Sequence, residues 1–479
     1  MGHDHSRDLS YLLPPYDHQR NAINQTVDRL KQHGGAALFV DMGLGKSAIA
    51  IHVARILRPS RILIVCPKGI VPVWKAELRK HIANLPPIIV WDAQKSTTKK
   101  WASEFRKTVS QPLAIGIMNV EAFQTDNTRV KRFVTEFSGG LCIVDESTSI
   151  KNPKALRTKK ILASSGAFDY RIIMTGTEIT NTILDLYAQF AFIVPGLWGI
   201  NYYAFRARYA VLKEIPVAGG RTVKIVVGFR KVDELLNRVK PYVFRARKED
   251  CFDLPEKIYA TIPVEMNREQ KEAYASLKKD MIAEYHGTQI TVTQALTLLL
   301  RFHQVTGGFF PESHEPLGKS NPKIDALLTD LDDTNEKAIV WCTYKAEIAG
   351  VVAALEKAYG KESVVRYTGD ESTAEREQAI ESFRGDARFF VANPQVAGYG
   401  LNLQFCTLQY FYSRNRRMDM NKQAEDRSHR IGTQGACVYK TLLVPHTIDQ
   451  TIHESIMKKQ TLLEGIQTMD FAKIHEIIG

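Results

Sequence analysis

The sequence predicts an α/β fold: two parallel-sheet lobes in tandem, with helical insertions between them. Three observations carry this. Short aliphatic runs alternate with helical stretches through the first half of the 479-residue chain, and the alternation restarts near residue 337. The region between, about 183–330, reads largely helical, with Gly219-Gly220 and Gly307-Gly308 as breaks. Runs that are apolar throughout suit strands buried on both faces, as in parallel sheets flanked by helices.

The elements follow in order. Ala36–Val40, Arg61–Cys66, Leu113–Ile117, Leu141–Asp145 and Arg171–Thr175 are short, mostly aliphatic and followed by polar turns, so they read as buried strands. Helical patterns such as Ser47–Leu57 and Val71–Lys80 lie between them. The second strand set is Lys337–Cys342, Ser363–Tyr367, Ala387–Val391, Thr407–Tyr412 and Cys437–Leu443. The expected division is a first lobe over 1–245 with a helical insertion from about 183, a largely helical linker over 246–319, and a second lobe over 320–479. Ser313–Pro322 reads as an exposed loop.

Composition narrows the function classes. The chain carries 64 Lys+Arg against 52 Asp+Glu, a net charge of +12, which favours a polyanionic partner, nucleic acid before membrane. No apolar run approaches the ~18 residues of a membrane span, and the first residues hold no apolar signal core. Gly2 and Ser6 fit a loose myristoylation pattern that is short enough to arise by chance. The six cysteines show no CxxC pair and read as reduced core residues of a cytoplasmic protein, or of the host cytoplasm if the source is viral. His3 and His5 read as a frayed terminus.

The first strand runs into Asp41-Met42-Gly43-Leu44-Gly45-Lys46-Ser47, with a helical pattern immediately after. Glycines there let backbone N–H groups turn inward around phosphates, and the helix N-terminus adds its positive dipole end. Lys46 is expected to reach the β/γ-phosphates and the Ser47 hydroxyl to ligate Mg²⁺, with Ala48 beginning the helix behind them. The strict phosphate-loop pattern has a glycine where this chain has Val40. About a hundred residues on, the run Leu141-Cys142-Ile143-Val144 ends in Asp145-Glu146. An acidic pair there suits nucleotide hydrolysis, Asp145 holding Mg²⁺ directly or through water and Glu146 polarising the attacking water.

Later blocks carry a resemblance. Asp41–Ser47 resembles the (D)EMGLGKT loop of the Swi/Snf-like branch of superfamily-two helicases. Ile62–Trp74 (ILIVCPKGIVPVW), Asp145–Pro153 (DESTSIKNP), Met174–Asn181 (MTGTEITN), Tyr242–Asp250 (YVFRARKED) with Leu254-Pro255, Gly400–Leu403 (GLNL) and Gln423–Thr433 (QAEDRSHRIGT) match that family's blocks in order. The match runs from about Tyr16 to His446. It implies two RecA-like lobes forming an ATP-driven motor on double-stranded DNA.

The resemblance also implies roles. Gln19, in Tyr16-Asp17-His18-Gln19, would read adenine. Met42, Gly43, Leu44, Gly45, Lys46, Ser47, Ala48 and Gly400 would line the nucleotide. Gln423, Arg427 and Arg430 would join Lys46, Asp145 and Glu146 in catalysis, the arginines meeting the γ-phosphate. Their spacing is expected to set both arginines on one helix face, with Gln423 a turn earlier. Lys68, Trp74, Lys151 and Asn152 in the first lobe, and Thr343, Asn393 and Asn402 in the second, are the expected DNA grips. Basic clusters support them: Lys151, Lys154, Arg157, Lys159 and Lys160; Arg245, Arg247 and Lys248; Arg414, Arg416 and Arg417.

The chain departs from the family pattern at Thr148, in place of the DEAH histidine, at Glu178, in place of the TGTP proline, and at Val40, in place of an acidic residue. Ser413-Arg414-Asn415-Arg416-Arg417 stands where the family often has a tryptophan-rich run. The expected function is an ATPase that translocates on duplex DNA without sequence preference, as a monomeric motor core lacking accessory domains. A strand-separating or annealing helicase on branched DNA or RNA, and a DNA-binding scaffold with a decayed motor, are the alternatives.

Overall fold

A computed structural model describes residues 12–468 apart from 126, 180–181, 218–220, 252–253, 288–291, 398–400 and 431. The chain divides into two compact units. One holds residues up to Leu212 and Val226–Phe252, together with the C-terminal end of the chain, and the other holds Lys213–Ile225 and Asp253–Leu462.

The aliphatic runs become the strands of the first unit: β1 (Gly35–Val40), β2 (Arg61–Cys66), β3 (Ile88–Val90), β4 (Ala114–Asn119), β5 (Leu141–Asp145) and β6 (Tyr170–Thr175). β7 (Ala210–Val217) and β8 (Arg221–Phe229) pair as a separate two-stranded sheet, and β9 (Val243–Ala246) returns to the main one. The seven-stranded order is β3-β4-β2-β5-β6-β1-β9. Every pairing in it is parallel. β1 and β5 are buried at every position, as both-face burial requires.

Register places the chemistry. Met174 of β6 stands opposite Leu38 of β1 on one side and Asp145 of β5 on the other. At roughly 4.8 Å per strand, Asp145 lies about two strand spacings from β1. Parallel strands end on the same edge, so the loop after β1 and the acidic end of β5 open together, where α/β sheets bind ligands.

The second unit contains β10 (Lys257–Pro263), β11 (Ala338–Trp341), β12 (Val364–Tyr367), β13 (Phe389–Ala392), β14 (Leu408–Phe411) and β15 (Cys437–Leu443). Their order is β10-β15-β14-β11-β13-β12, again with parallel pairings. Separate apolar clusters hold Val340, Phe389 and Tyr410, and Ile339, Trp341, Phe390 and Phe411.

The structure differs from the sequence reading at β3, β7, β8, β9 and β10. β3 has three residues, too few for a pattern. β9 carries Arg245, which breaks its apolar run. β10 lies within the stretch expected to be largely helical; as an edge strand it is mostly exposed and lacks the both-face burial signal. The six cysteines form no disulfide, and five are buried. Among the described residues no helix is long and apolar enough to cross a membrane, and no His/Cys/Asp/Glu cluster could hold a metal ion.

Candidate active site

The phosphate loop is shaped by backbone conformations that glycine alone adopts freely. Gly43 and Gly45 have φ of +93° and +81°, in the left-handed region. Gly45 is also hemmed in: a Cβ there would stand 2.3 Å from Gln19 Nε2. Helix α1 (Asp17–His33) brings Gln19 to the loop, and α2 (Lys46–Leu57) begins directly after it. Gln19 is buried; its Nε2 donates to the Leu44 carbonyl at 3.1 Å, and its Oε1 accepts the Tyr16 N–H at 3.1 Å. His18 Nε2 lies 3.2 Å from the same carbonyl. Lys46 Nζ donates to the Val40 carbonyl at 2.9 Å, while Met42 and Ser47 are half-buried and Ala48 is buried.

The segment after β9 braces the loop from behind. Asp41 N–H donates to the Ala246 carbonyl at 3.0 Å, and Lys248 N–H donates to Asp41 Oδ2 at 3.2 Å. The Arg247 guanidinium is bonded to Asp250 and Lys248 is buried, so neither belongs to an exposed basic strip.

At the end of β5 the Asp145 carboxylate is buried and doubly bonded. Trp74 Nε1 donates to Oδ2 at 2.9 Å and the Glu146 N–H to Oδ1 at 2.9 Å. Burial pushes the Asp145 carboxyl up, while the Lys46 charge and the Trp74 and Glu146 hydrogen bonds act against it. Trp74, on α3 (Val71–His81), is 1% exposed. Its expected role as a DNA grip is therefore corrected: the indole is enclosed in the first unit as a partner of Asp145. Glu146 adopts φ +48°, ψ +58°, a left-handed conformation that costs a non-glycine residue energy and is often retained at functional positions.

Two of the departures from the family pattern acquire structural partners. Ser147 Oγ donates to Gln189 Oε1 at 2.6 Å, and Gln189 Nε2 donates to the backbone carbonyls of Glu178 and Asp185 at 2.8 and 3.0 Å. The Glu178 side chain is fully buried, and Arg245 Nε donates to its Oε1 at 3.2 Å. Arg245 is thus an internal ion-pair partner. Thr148 stands in the short turn Ser147–Ile150, where its carbonyl accepts the Lys151 N–H at 3.3 Å. Gln189 had no sequence signal, because its contacts join segments that are far apart in the chain.

Lys68 and Asn152 are exposed and Lys151 is half-buried. The Asn152 side chain accepts the Lys154 N–H at 2.9 Å, shaping the start of the run Lys151–Lys160. Lys154 and Lys159 in that run are exposed.

In the second unit the catalytic block differs from its expected shape. The helix Met418–Glu425 carries Gln423 but stops before the arginines. Continuing it would commit the Arg427 carbonyl to the helical ladder; instead that carbonyl accepts the Leu403 N–H at 3.0 Å. Arg427 turns inward, 1% exposed, with Nη1 donating to the Leu401 carbonyl at 3.4 Å. Arg430 is half-buried and bonds the Asp426 carbonyl through Nε at 2.9 Å. The two arginines therefore do not share a helix face. Buried polar atoms without a hydrogen-bond partner gather here: Gln423 Oε1, Asn421 Oδ1 and Ser428 Oγ. Such atoms are rare in folded proteins and concentrate where a ligand completes the site. Gly400 lies outside the described residues.

Thr343 and Asn393 are half-buried and bonded to one another's surroundings. Asn393 Nδ2 donates to the Thr343 carbonyl at 2.9 Å, and Thr343 Oγ1 donates to the Ser413 carbonyl at 3.2 Å. Asn402 is exposed. Beneath them the buried Glu347 accepts from Thr343 N–H at 3.0 Å, Tyr344 N–H at 3.1 Å and Ser413 Oγ at 2.5 Å. Burial pushes the Glu347 carboxyl up to about 7.

The SNF2-related domain matches residues 18–307, and the helicase conserved C-terminal domain matches 321–432. A putative ATP-dependent helicase/translocase, YwqA of Bacillus subtilis, is 25% identical over 97% of this chain and 50% of its own length. A Xenopus laevis SWI/SNF-related matrix-associated actin-dependent regulator of chromatin subfamily A-like protein 1 is 23% identical over 99% of this chain and 46% of its own. The chain thus spans about half the length of these curated relatives. The Sulfolobus solfataricus SWI2/SNF2 ATPase core in complex with dsDNA is 23% identical, with 98% of this chain and 99% of that one covered and a TM-score of 0.44. Over more than half its length this chain matches one family, and it belongs to the SNF2-related, Swi/Snf-like branch of superfamily-two helicases.

Proposed function

We propose that the chain is a DNA-dependent ATPase that uses ATP hydrolysis to translocate on double-stranded DNA, without sequence preference. The observation that carries the reading is the in-register placement of the phosphate loop and the Asp145-Glu146 end of β5 on one edge of one sheet. Lys46 and the N–H groups of the loop would bind the phosphates, and Glu146 would orient the attacking water. The residues fit a hard divalent cation: Ser47 and Asp145 offer oxygen donors, and Asp145 lies within the field of Lys46 at the loop. Mg²⁺ held there would neutralise charge on the phosphates. The γ-phosphate role of Arg427 and Arg430 enters this proposal only as what the family resemblance implies; Arg427 is 1% exposed and bonded to the Leu401 carbonyl, and Arg430 is half-buried. The net charge of +12 and the exposed lysines of the run Lys151–Lys160 support a polyanionic track read through its phosphates.

Steady-state ATP hydrolysis with and without duplex DNA tests the reading. Duplex DNA is expected to stimulate turnover, and Lys46→Ala and Arg430→Ala to abolish it in folded protein. DNA affinity is expected to fall steeply with salt. A wild-type chain that hydrolyses ATP equally with and without any nucleic acid would refute DNA dependence. Strand displacement exceeding duplex translocation would favour the unwinding alternative.

A further inference from the structure

Three arginines stand in the segment Ser413–Arg417, and their hydrogen bonding separates them. Arg414 is buried, with Nη1 on Glu425 Oε1 at 3.3 Å, Nε on Thr441 Oγ1 at 3.0 Å and its guanidinium over the Phe411 ring at 4.1 Å. Arg417 is bound to Asp419, its Nε donating at 3.2 Å. Arg414 leaves Nη2 alone buried without a hydrogen-bond partner, and Arg416 goes further. Its Nε and Nη2 are buried, and no described residue accepts a hydrogen bond from either.

Arg416 is half-buried, with Nε and Nη2 its enclosed donors. Leaving two of its donors buried and unmade is unfavourable unless an external acceptor completes them. Among the described residues none accepts a hydrogen bond from those two nitrogens. The Arg416 charge is felt by His303 and Tyr344. His303 Nδ1 is 3.0 Å from the Tyr344 hydroxyl, and burial keeps its imidazole uncharged to about pH 4. Asp449, 3.7 Å from His303 Nε2, is committed to Lys323 Nζ and Thr306 Oγ1, both at 2.6 Å.

The residues expected to grip DNA beside it have largely spent their donors. The Thr343 hydroxyl and one Asn393 amide bond are used within the protein, holding the loop to Ser413, three residues before Arg416. They shape the platform, and Arg416 is the donor left over. Arg416 precedes the helix Met418–Glu425 and Arg427 follows it, so the two residues stand at opposite ends of that helix.

We propose that the Arg416 guanidinium binds a backbone phosphate of the DNA track, with Thr343 and Asn393 positioning the loop that presents it. This rests on the DNA-tracking function proposed above. A planar fork of donors suits a phosphodiester's paired oxygens.

The test compares Arg416→Gln with Arg417→Gln, which removes the same charge from a guanidinium already held by Asp419. Each is titrated with a duplex oligonucleotide over a range of salt. Arg416→Gln is expected to weaken binding about tenfold and to lower the slope of log K against log salt by about 0.9, the value of one phosphate contact. Arg417→Gln is expected to change both far less. Equal losses in the two variants would indicate a general field effect and overturn the proposal, as would an unchanged Arg416→Gln. Removing an unpartnered buried charge also predicts no fall in melting temperature; a clear fall would reveal a protein partner and equally refute the idea. If wild-type protein binds no DNA, the tracking function itself fails, which is a separate result.

Discussion

Replacing Trp74 with Phe tests whether the indole governs the charge state of Asp145. The substitution keeps an aromatic ring in a site that is 1% exposed and deletes the Nε1–H that reaches Asp145 Oδ2 at 2.9 Å. A buried hydrogen bond to a charged group is worth about 1.5–3 kcal/mol. For a unit of this size that lowers the melting temperature by roughly 3–12 °C, and the smaller ring adds to the loss. The pH dependence is the more specific readout. Burial already pushes Asp145 toward its protonated form, and the Trp74 bond favours the carboxylate. Losing it leaves the protonated form better matched, so the acidic limb of the ATPase pH profile is expected to move to higher pH. A lowered melting temperature with an unmoved acidic limb would refute the electrostatic part and leave Trp74 a packing residue.

Three further outcomes follow from the same geometry. Glu347 holds its proton in the folded state up to about pH 7, so it weakens the fold as pH rises from its unfolded value to that point. Glu347→Gln, which keeps an acceptor for Thr343, Tyr344 and Ser413, is expected to melt higher than wild type at pH 8 by an amount reflecting about 3 kcal/mol, with the difference vanishing near pH 4. Equal melting at both pH values would show that the carboxylate is not destabilising. Arg245→Leu strands the buried Glu178 and is expected to cost about 3–5 kcal/mol in chemical denaturation, with Glu178→Gln recovering most of it in the double variant; additive losses would contradict a buried pair. Gly45→Ala forces a Cβ to within 2.3 Å of Gln19 Nε2 at φ +81°, so nucleotide affinity is expected to fall at least tenfold by calorimetry, and retained affinity would show that the loop and Gln19 adjust freely.

The parts legible in the sequence are those whose cause is local or strongly patterned. The strand Arg61–Cys66 keeps its expected bounds, because burial on both faces demands a nearly unbroken apolar run. Cys437–Leu443 keeps its bounds although Lys440 and Thr441 interrupt its apolar run. The phosphate loop is readable because left-handed backbone and close approach both require glycine. What stayed hidden depends on contacts between distant segments. Trp74 and Asp145 are 71 residues apart, and Glu178 and Arg245 are 67 apart. The helix ends at Glu425, and beyond it the Arg427 carbonyl bonds the distant Leu403 N–H, a contact that no local pattern announces.

The pairing of β10 with β15 fixes where the molecule can be cut. Lys257–Pro263 pairs with Cys437–Leu443 residue for residue along seven positions. A fragment begun at residue 320 would leave β15 as an open edge on the side that β10 covers, a template for strand-to-strand association. One begun at residue 253 retains the covering strand. The first is expected to aggregate and the second to remain dispersed, so the useful scissor point lies well upstream of the first residue that looks like the second lobe.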